Sequence, residues 1–105
     1  MNNNPPSTFL QAKNEQKNRV ILSSCRELGF FMPDIRRALL ALNQVRLLDL
    51  CEDGAGGRVC TPAVASHVIA GEPRQGVASA HARQRCSAIL GVPAEELFAD
   101  VDLAE

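Results

Sequence analysis

The chain has 105 residues, with eleven Lys and Arg against twelve Asp and Glu, and its four aromatic residues are all Phe. A chain of this length supports one domain with a single small core, and its ordinary mix of apolar and charged residues argues against wholesale disorder. Without Trp or Tyr, the stacking platforms on which single-strand and RNA-reading folds lay their bases have too few rings.

The formal charge of −1 hides a division along the chain. Residues 1–94 carry all eleven basic and seven acidic side chains, a balance of +4, whereas Glu95, Glu96, Asp100, Asp102 and Glu105 give residues 95–105 a balance of −5. A basic body with an acidic end is compatible with nucleic-acid binding, and a solvated terminus produces the same split. No apolar run approaches the roughly 20 residues of a membrane span. Met1–Thr8 lacks the basic start and apolar stretch of a signal peptide, so a cytoplasmic protein with no membrane partner is expected. In that compartment Cys25, Cys51, Cys60 and Cys86 stay reduced. Cys51 and Cys60 are the closest pair, with eight residues between them, wider than a zinc knuckle or a redox pair. All four read as small buried hydrophobes, with no metal and no cofactor, and a site built from Cys51, Cys60 and His67 is the alternative.

Residues 1–8, polar and Pro-bearing, read as a disordered arm. Helical character starts after Ser7 or Thr8, with Ile21, Cys25 and Leu28 as its apolar stripe and Gly29 as its stop. A second helix opens at Met32-Pro33-Asp34, with Ile35, Ala38, Leu39 and Leu42 facing inward and Asn43 as a left-handed stop. Beyond it the periodicity breaks, because Arg46 and Asp49 fall where apolar residues are due. Val45–Cys51 either extends this helix or pairs with Arg58–Thr61 in a hairpin around the glycines of 54–57; the Gly cluster favours a loop or hairpin insertion over 44–60. Neither glycine phosphate-loop pattern is present, so this cluster is read as a surface loop.

Thr61 and Pro62 cap and open a third helix that buries Val64, Val68 and Ile69 and ends at Gly71. A turn-rich linker leads to a fourth helix, capped by Ser79, whose inner face is Ala82, Cys86, Ile89 and Leu90 and whose end is Gly91. Pro93–Phe98 forms a last short helix that tucks in Leu97 and Phe98, and 99–105 is an acidic tail. The expected fold is all-α, a compact bundle of about five short helices spanning 9–98.

The segment Thr61-Pro-Ala-Val-Ala-Ser-His-Val-Ile-Ala-Gly71, followed by Ala82-Arg-Gln-Arg-Cys-Ser-Ala-Ile-Leu-Gly-Val-Pro-Ala-Glu-Glu-Leu-Phe98, resembles the second half of the lambda-repressor-like helix-turn-helix domains, also called the XRE type. Arg26-Glu-Leu-Gly29 and Asp34-Ile-Arg-Arg-Ala-Leu39 look like that family's first two helices. The resemblance implies a small bacterial or phage regulator of repressor type that binds double-stranded DNA sequence-specifically through 61–71, as a homodimer, with no catalysis and no small-molecule substrate. Two departures stand out. The 44–60 segment replaces a turn of a few residues, and Pro62 and Ala63 stand where the family often places an amide that reads adenine. Base reading is therefore expected to be shared by Ser66, His67 and Arg58 or Arg74 at the loop ends, with Ala63 able to touch only a thymine methyl. Arg58, Arg74, Arg83 and the Thr61–Pro62 helix end are the expected phosphate and flanking contacts. From Gly54 to Ala94 there are four Arg against one Glu.

An enzyme is not expected, because the two His and the available Ser, Cys and carboxylates have no catalytic spacing. The rival readings are a protein-interaction module on the same scaffold, docking through Val45, Leu47, Leu48 and Leu50, and a thiol or zinc sensor through Cys51 and Cys60. These leucines are also the first candidates for a dimer interface, unless they belong to the core.

Overall fold

A computed structural model describes the backbone of residues 5–102 and the side chains of 14–102. The fold is all-α: α1 (Pro5–Glu27), α2 (Met32–Leu42), α3 (Leu47–Cys51), α4 (Pro62–Ile69), α5 (Val77–Leu90) and α6 (Ala94–Leu97), with no strand among the described residues. Residues 1–4 of the expected arm lie outside the described residues, and α1 begins at Pro5, before the expected Ser7 or Thr8 cap.

Helices α1 and α2 pack against each other around Gly29, whose φ of +81° allows the chain to reverse. The inward stripe of α1 differs from the one its apolar residues suggest. Leu22 and Asn18 are buried, Ile21 and Cys25 are half-buried, and Leu28 lies past the helix end and is exposed. Asn18 tolerates burial because its amide donates to the Leu90 carbonyl (2.9 Å) and exchanges hydrogen bonds with Asn43.

A similar shift affects α2. Ile35 and Leu39 face the core as expected, but Ala38 and Leu42 are exposed, and Arg36 and Leu40 take their place inside. Arg36 is wholly buried, with its guanidinium bonded to the carbonyls of Ile69 (3.0 Å) and Leu97 (2.8 Å) and to the Asp100 carboxylate (2.5 and 3.0 Å). The ring of Phe98 lies under the cation, 4.8 Å away. Asn43 is not the left-handed stop, having φ −98°. That role falls to Gln44 at φ +57°, where Gln44 N–H bonds Ala41 and Val45 N–H bonds Leu40 in a Schellman-type ending.

The 44–60 segment contains a separate helix and a tight loop. Helix α3 opens where the Asp49 carboxylate accepts the Arg46 amide (2.8 Å) and pairs with its guanidinium (2.9 Å). It packs against α4 and α5, burying Leu50 and Cys51 completely. A single antiparallel bridge, Glu52 to Arg58, then closes the glycine loop. Val45 and Leu48 are half-buried, so among the four apolar residues proposed as an interface only Leu47 offers much surface, at 37% exposure.

Helix α5 starts at Val77 behind Gly76 (φ +115°), two residues before the expected Ser79 cap, and Ser79 is buried within the helix. Its inner face is Ala82, Cys86 and Leu90, and Gly91 ends it in the left-handed region. Leu97 and Phe98 complete the core below α5. The acidic tail is not simply solvated, because Asp100 folds back onto Arg36.

Candidate nucleic-acid interface

Thr61 caps α4, its hydroxyl accepting the Val64 amide (3.3 Å), and Pro62 occupies the first turn, where no N–H is needed. Apolar Ala65, Val68 and Ile69 fix the helix to the core at 0–2% exposure. At 100° per residue the opposite side carries Ala63 and His67 at its centre, flanked by Pro62 and Ser66. Pro62, Ala63 and Ser66 are exposed and His67 is half-buried, so no described element covers this face.

At the C-terminal end of α4, Gly71 (φ +91°) turns the chain so that the Glu72 amide bonds the His67 carbonyl (3.2 Å). This fold-back places Oε2 of Glu72 2.6 Å from Nδ1 of His67, while its other carboxylate oxygen takes Nε of Arg74 (3.3 Å). These donors hold the Glu72 carboxyl below the usual carboxylate range, the His67 hydrogen bond contributing most. At the other end Arg58 stands exposed on the glycine loop with no carboxylate partner among the described residues. Asp53 shapes that loop by accepting the amides of Ala55 (2.8 Å) and Gly57 (2.9 Å), which lowers its own pKa.

The expected residues are therefore partly assembled. Thr61, Pro62, Ala63, Ser66 and His67 share one helix and its exposed side, and Arg58 and Arg74 stand near its two ends. Arg83 donates to the Arg74 carbonyl (3.0 Å) and also lines a groove with Ala94, Phe98 and Val101, where burial lowers its pKa. Arg85 reaches the Asp49 carbonyl (3.4 Å) beside the loop. Glu72 was not among the expected residues; its carboxylate reaches His67 through the chain reversal at Gly71.

Most cations near α4 are paired. Arg74 shares Glu72 with His67, Arg46 holds Asp49, and Arg37 holds Asp34 at 3.0 Å. Arg37 also borders an apolar groove of about 270 Å³ lined by Leu40, Ala41, Val45, Leu47, Ser66 and Ile69, which opens beside the exposed side of α4.

The alternative site of Cys51, Cys60 and His67 is not assembled. His67 is engaged by Glu72, and among the described residues no group of three or more His, Cys, Asp or Glu is placed to hold a metal ion. Burial pushes the Cys51 thiol up to about 11, with the Cys60 thiol adding to the shift, and burial pushes Cys86 up to about 12. No described helix is long and apolar enough to cross a membrane. Comparisons of the chain with family models, curated proteins and solved structures find no match.

Proposed function

We propose that this chain is a sequence-specific double-stranded DNA-binding regulator that lays α4 in the major groove, with α3 as the helix packed across it. The observation that carries the reading is the uncovered side of α4: small side chains at Pro62, Ala63 and Ser66 on a helix whose other side is locked into the core. Small residues let a helix approach base edges closely, and a rigidly seated helix keeps its register on the duplex. The resemblance of 61–98 to lambda-repressor-like domains supports the same use of this helix. In this assignment α3 and α4 are the paired helices, with residues 52–61 as an enlarged turn, and α2 precedes them. Two copies with their α4 helices about 34 Å apart would match a two-fold site.

The test is binding to duplex DNA fragments across a salt series, comparing the chain with its Ala63→Glu variant. The logarithm of the affinity is expected to fall linearly with the logarithm of salt concentration. The variant, which places a carboxylate in the centre of the exposed side, is expected to bind at least tenfold more weakly while keeping the same thermal midpoint. Salt-independent binding, or an unaffected variant, overturns the proposal.

The second reading, a protein-interaction module, is favoured by the apolar groove beside Ser66 and by the carboxylates that already neutralise Arg37, Arg46 and Arg74. A chain that ignores duplex DNA but loses a protein partner on Leu47→Asp substitution follows this second reading.

A further inference from the structure

On the exposed side of α4 Ser66 and His67 carry groups able to hydrogen-bond a base edge, whereas Pro62 and Ala63 have none and the Thr61 hydroxyl oxygen accepts the Val64 amide at the cap. His67 sits four residues from Ala63, at the centre of that side, with 43% of its side chain exposed.

The ring is not free to choose its orientation. Nδ1 lies 2.6 Å from Oε2 of Glu72, and Glu72 is fixed through its own amide to the His67 carbonyl and through Oε1 to Arg74. An ionised carboxylate can only accept, so in the neutral imidazole the proton belongs on Nδ1. Nε2, on the far side of the ring, then carries a lone pair and no hydrogen.

Resting on the DNA reading above, we propose that His67 is a specificity-determining residue that accepts a hydrogen bond from the exocyclic amine of adenine or cytosine, and that Glu72 positions it by fixing its tautomer. In the major groove adenine N6 and cytosine N4 are the donors, whereas guanine and thymine present only acceptors there. An imidazole whose outward nitrogen is an acceptor meets the amine-bearing bases productively and faces guanine O6 and N7, or thymine O4, lone pair to lone pair. The opposite tautomer reverses this preference, which makes Glu72 decisive without touching DNA. Ala63, one turn earlier on the same side, leaves room for the approach.

Two measurements at pH 8 test the assignment. The first needs no DNA: ¹⁵N NMR of the full chain is expected to give a protonated, pyrrole-like Nδ1 and a pyridine-like Nε2 for His67. In Glu72→Ala the pattern is expected to move toward the Nε2-protonated form that unrestrained imidazole favours. The second is selection of bound sites from a random duplex pool. One position in the site is expected to be restricted to adenine or cytosine. His67→Ala is expected to open that position to all four bases while preserving the others, and Glu72→Ala to move it toward guanine.

If removing Glu72 acts only by taking a negative charge away from DNA, affinity rises for every sequence alike while tautomer and base preference stay put, and the positioning role falls. The assignment also falls if Nε2 is protonated in the unmodified chain, or if His67→Ala leaves selection unchanged. Should the unmodified chain select no sequence at all, the DNA reading itself fails and takes the base assignment with it.

Discussion

Arg36, with no surface exposed to solvent, is held by Asp100 through two hydrogen bonds of 2.5 and 3.0 Å that cross 64 residues of sequence. The same guanidinium takes the carbonyl of Ile69 at the end of α4 and that of Leu97 at the end of α6. One side chain of α2 thus ties the C-terminal end of α4 to the end of α6 and to Asp100.

Removing one partner of a buried pair leaves an uncompensated charge, which typically costs about 3–5 kcal/mol. Asp100 retains 26% side-chain exposure, so water can partly replace it and the lower end of that range is expected, about 3 kcal/mol for Asp100→Ala. Urea denaturation measures this. Arg36→Met also leaves the buried Ile69 and Leu97 carbonyls without their donor and is expected to cost at least as much as Asp100→Ala. A loss under ~0.5 kcal/mol for Asp100→Ala would place the pair among exposed ones of little consequence.

The thiols give a second expectation. Reaction with alkylating reagents proceeds through the thiolate, and burial holds Cys51 near about 11 and Cys86 near about 12, while Cys60 is 6% exposed. Only Cys25 is half-exposed. Brief iodoacetamide treatment at pH 8, read by mass spectrometry, is expected to modify one site per chain, Cys25, with the other three reacting only in denaturant. Rapid modification of Cys51 or Cys60 would mean that the α3–α4 connection opens locally, and would revive the thiol-sensor reading.

Much of the fold is legible locally because its punctuation is local chemistry. Gly29, Gly71 and Gly91 end or follow helices at positive φ, and Thr61-Pro62 opens α4 with a cap and a missing N–H that costs nothing. The inward faces of α1 and α2 were harder to read, because Asn18 and Arg36 are made tolerable inside by carbonyls and a carboxylate far along the chain, at Leu90, Ile69, Leu97 and Asp100. Periodicity alone counts such residues as solvent-facing. Helix α3 was hidden for a related reason: Arg46 and Asp49, which interrupt the apolar pattern, are the pair that opens it. The exposed residues of α4 followed from its cap and stripe. Their engagement by Glu72 depends on the reversal at Gly71, a property of backbone geometry more than of composition.

The glycine loop should respond to acid. The Asp53 carboxyl is held below the usual range because its ionised form accepts the Ala55 and Gly57 amides. A depressed folded-state pKa contributes stability that is fully present above the unfolded value, about 3.9 for Asp, and is lost as pH falls through the lowered folded value. Hydrogen exchange corrected for intrinsic rates is therefore expected to show Ala55 and Gly57 protected at pH 5 and released as the pH falls below the ordinary Asp range. Asp53→Ala should release both amides already at pH 5, and Asp53→Asn, which keeps one acceptor oxygen, should retain part of the protection. Protection that persists in Asp53→Ala would assign it to the Glu52–Arg58 bridge instead.

Arg58 and Arg74 flank α4 with unequal freedom, and the DNA reading turns that difference into a measurement. Arg74 is committed to Glu72, whereas Arg58 has no carboxylate partner among the described residues. A cation that neutralises a phosphate releases counterions and adds about one unit to the slope of log affinity against log salt, while one already neutralised by a carboxylate adds less. Arg58→Ala is thus expected to weaken binding evenly across sequences and to reduce that slope by about 1, with Arg74→Ala giving a smaller reduction. Removing Glu72 together with the Arg58 substitution is expected to recover part of the lost affinity, because it frees Arg74 for phosphate. Equal slopes for the two single variants would show that the Glu72 pair dissolves when DNA arrives, and a slope unchanged by Arg58→Ala would remove the glycine loop from the interface.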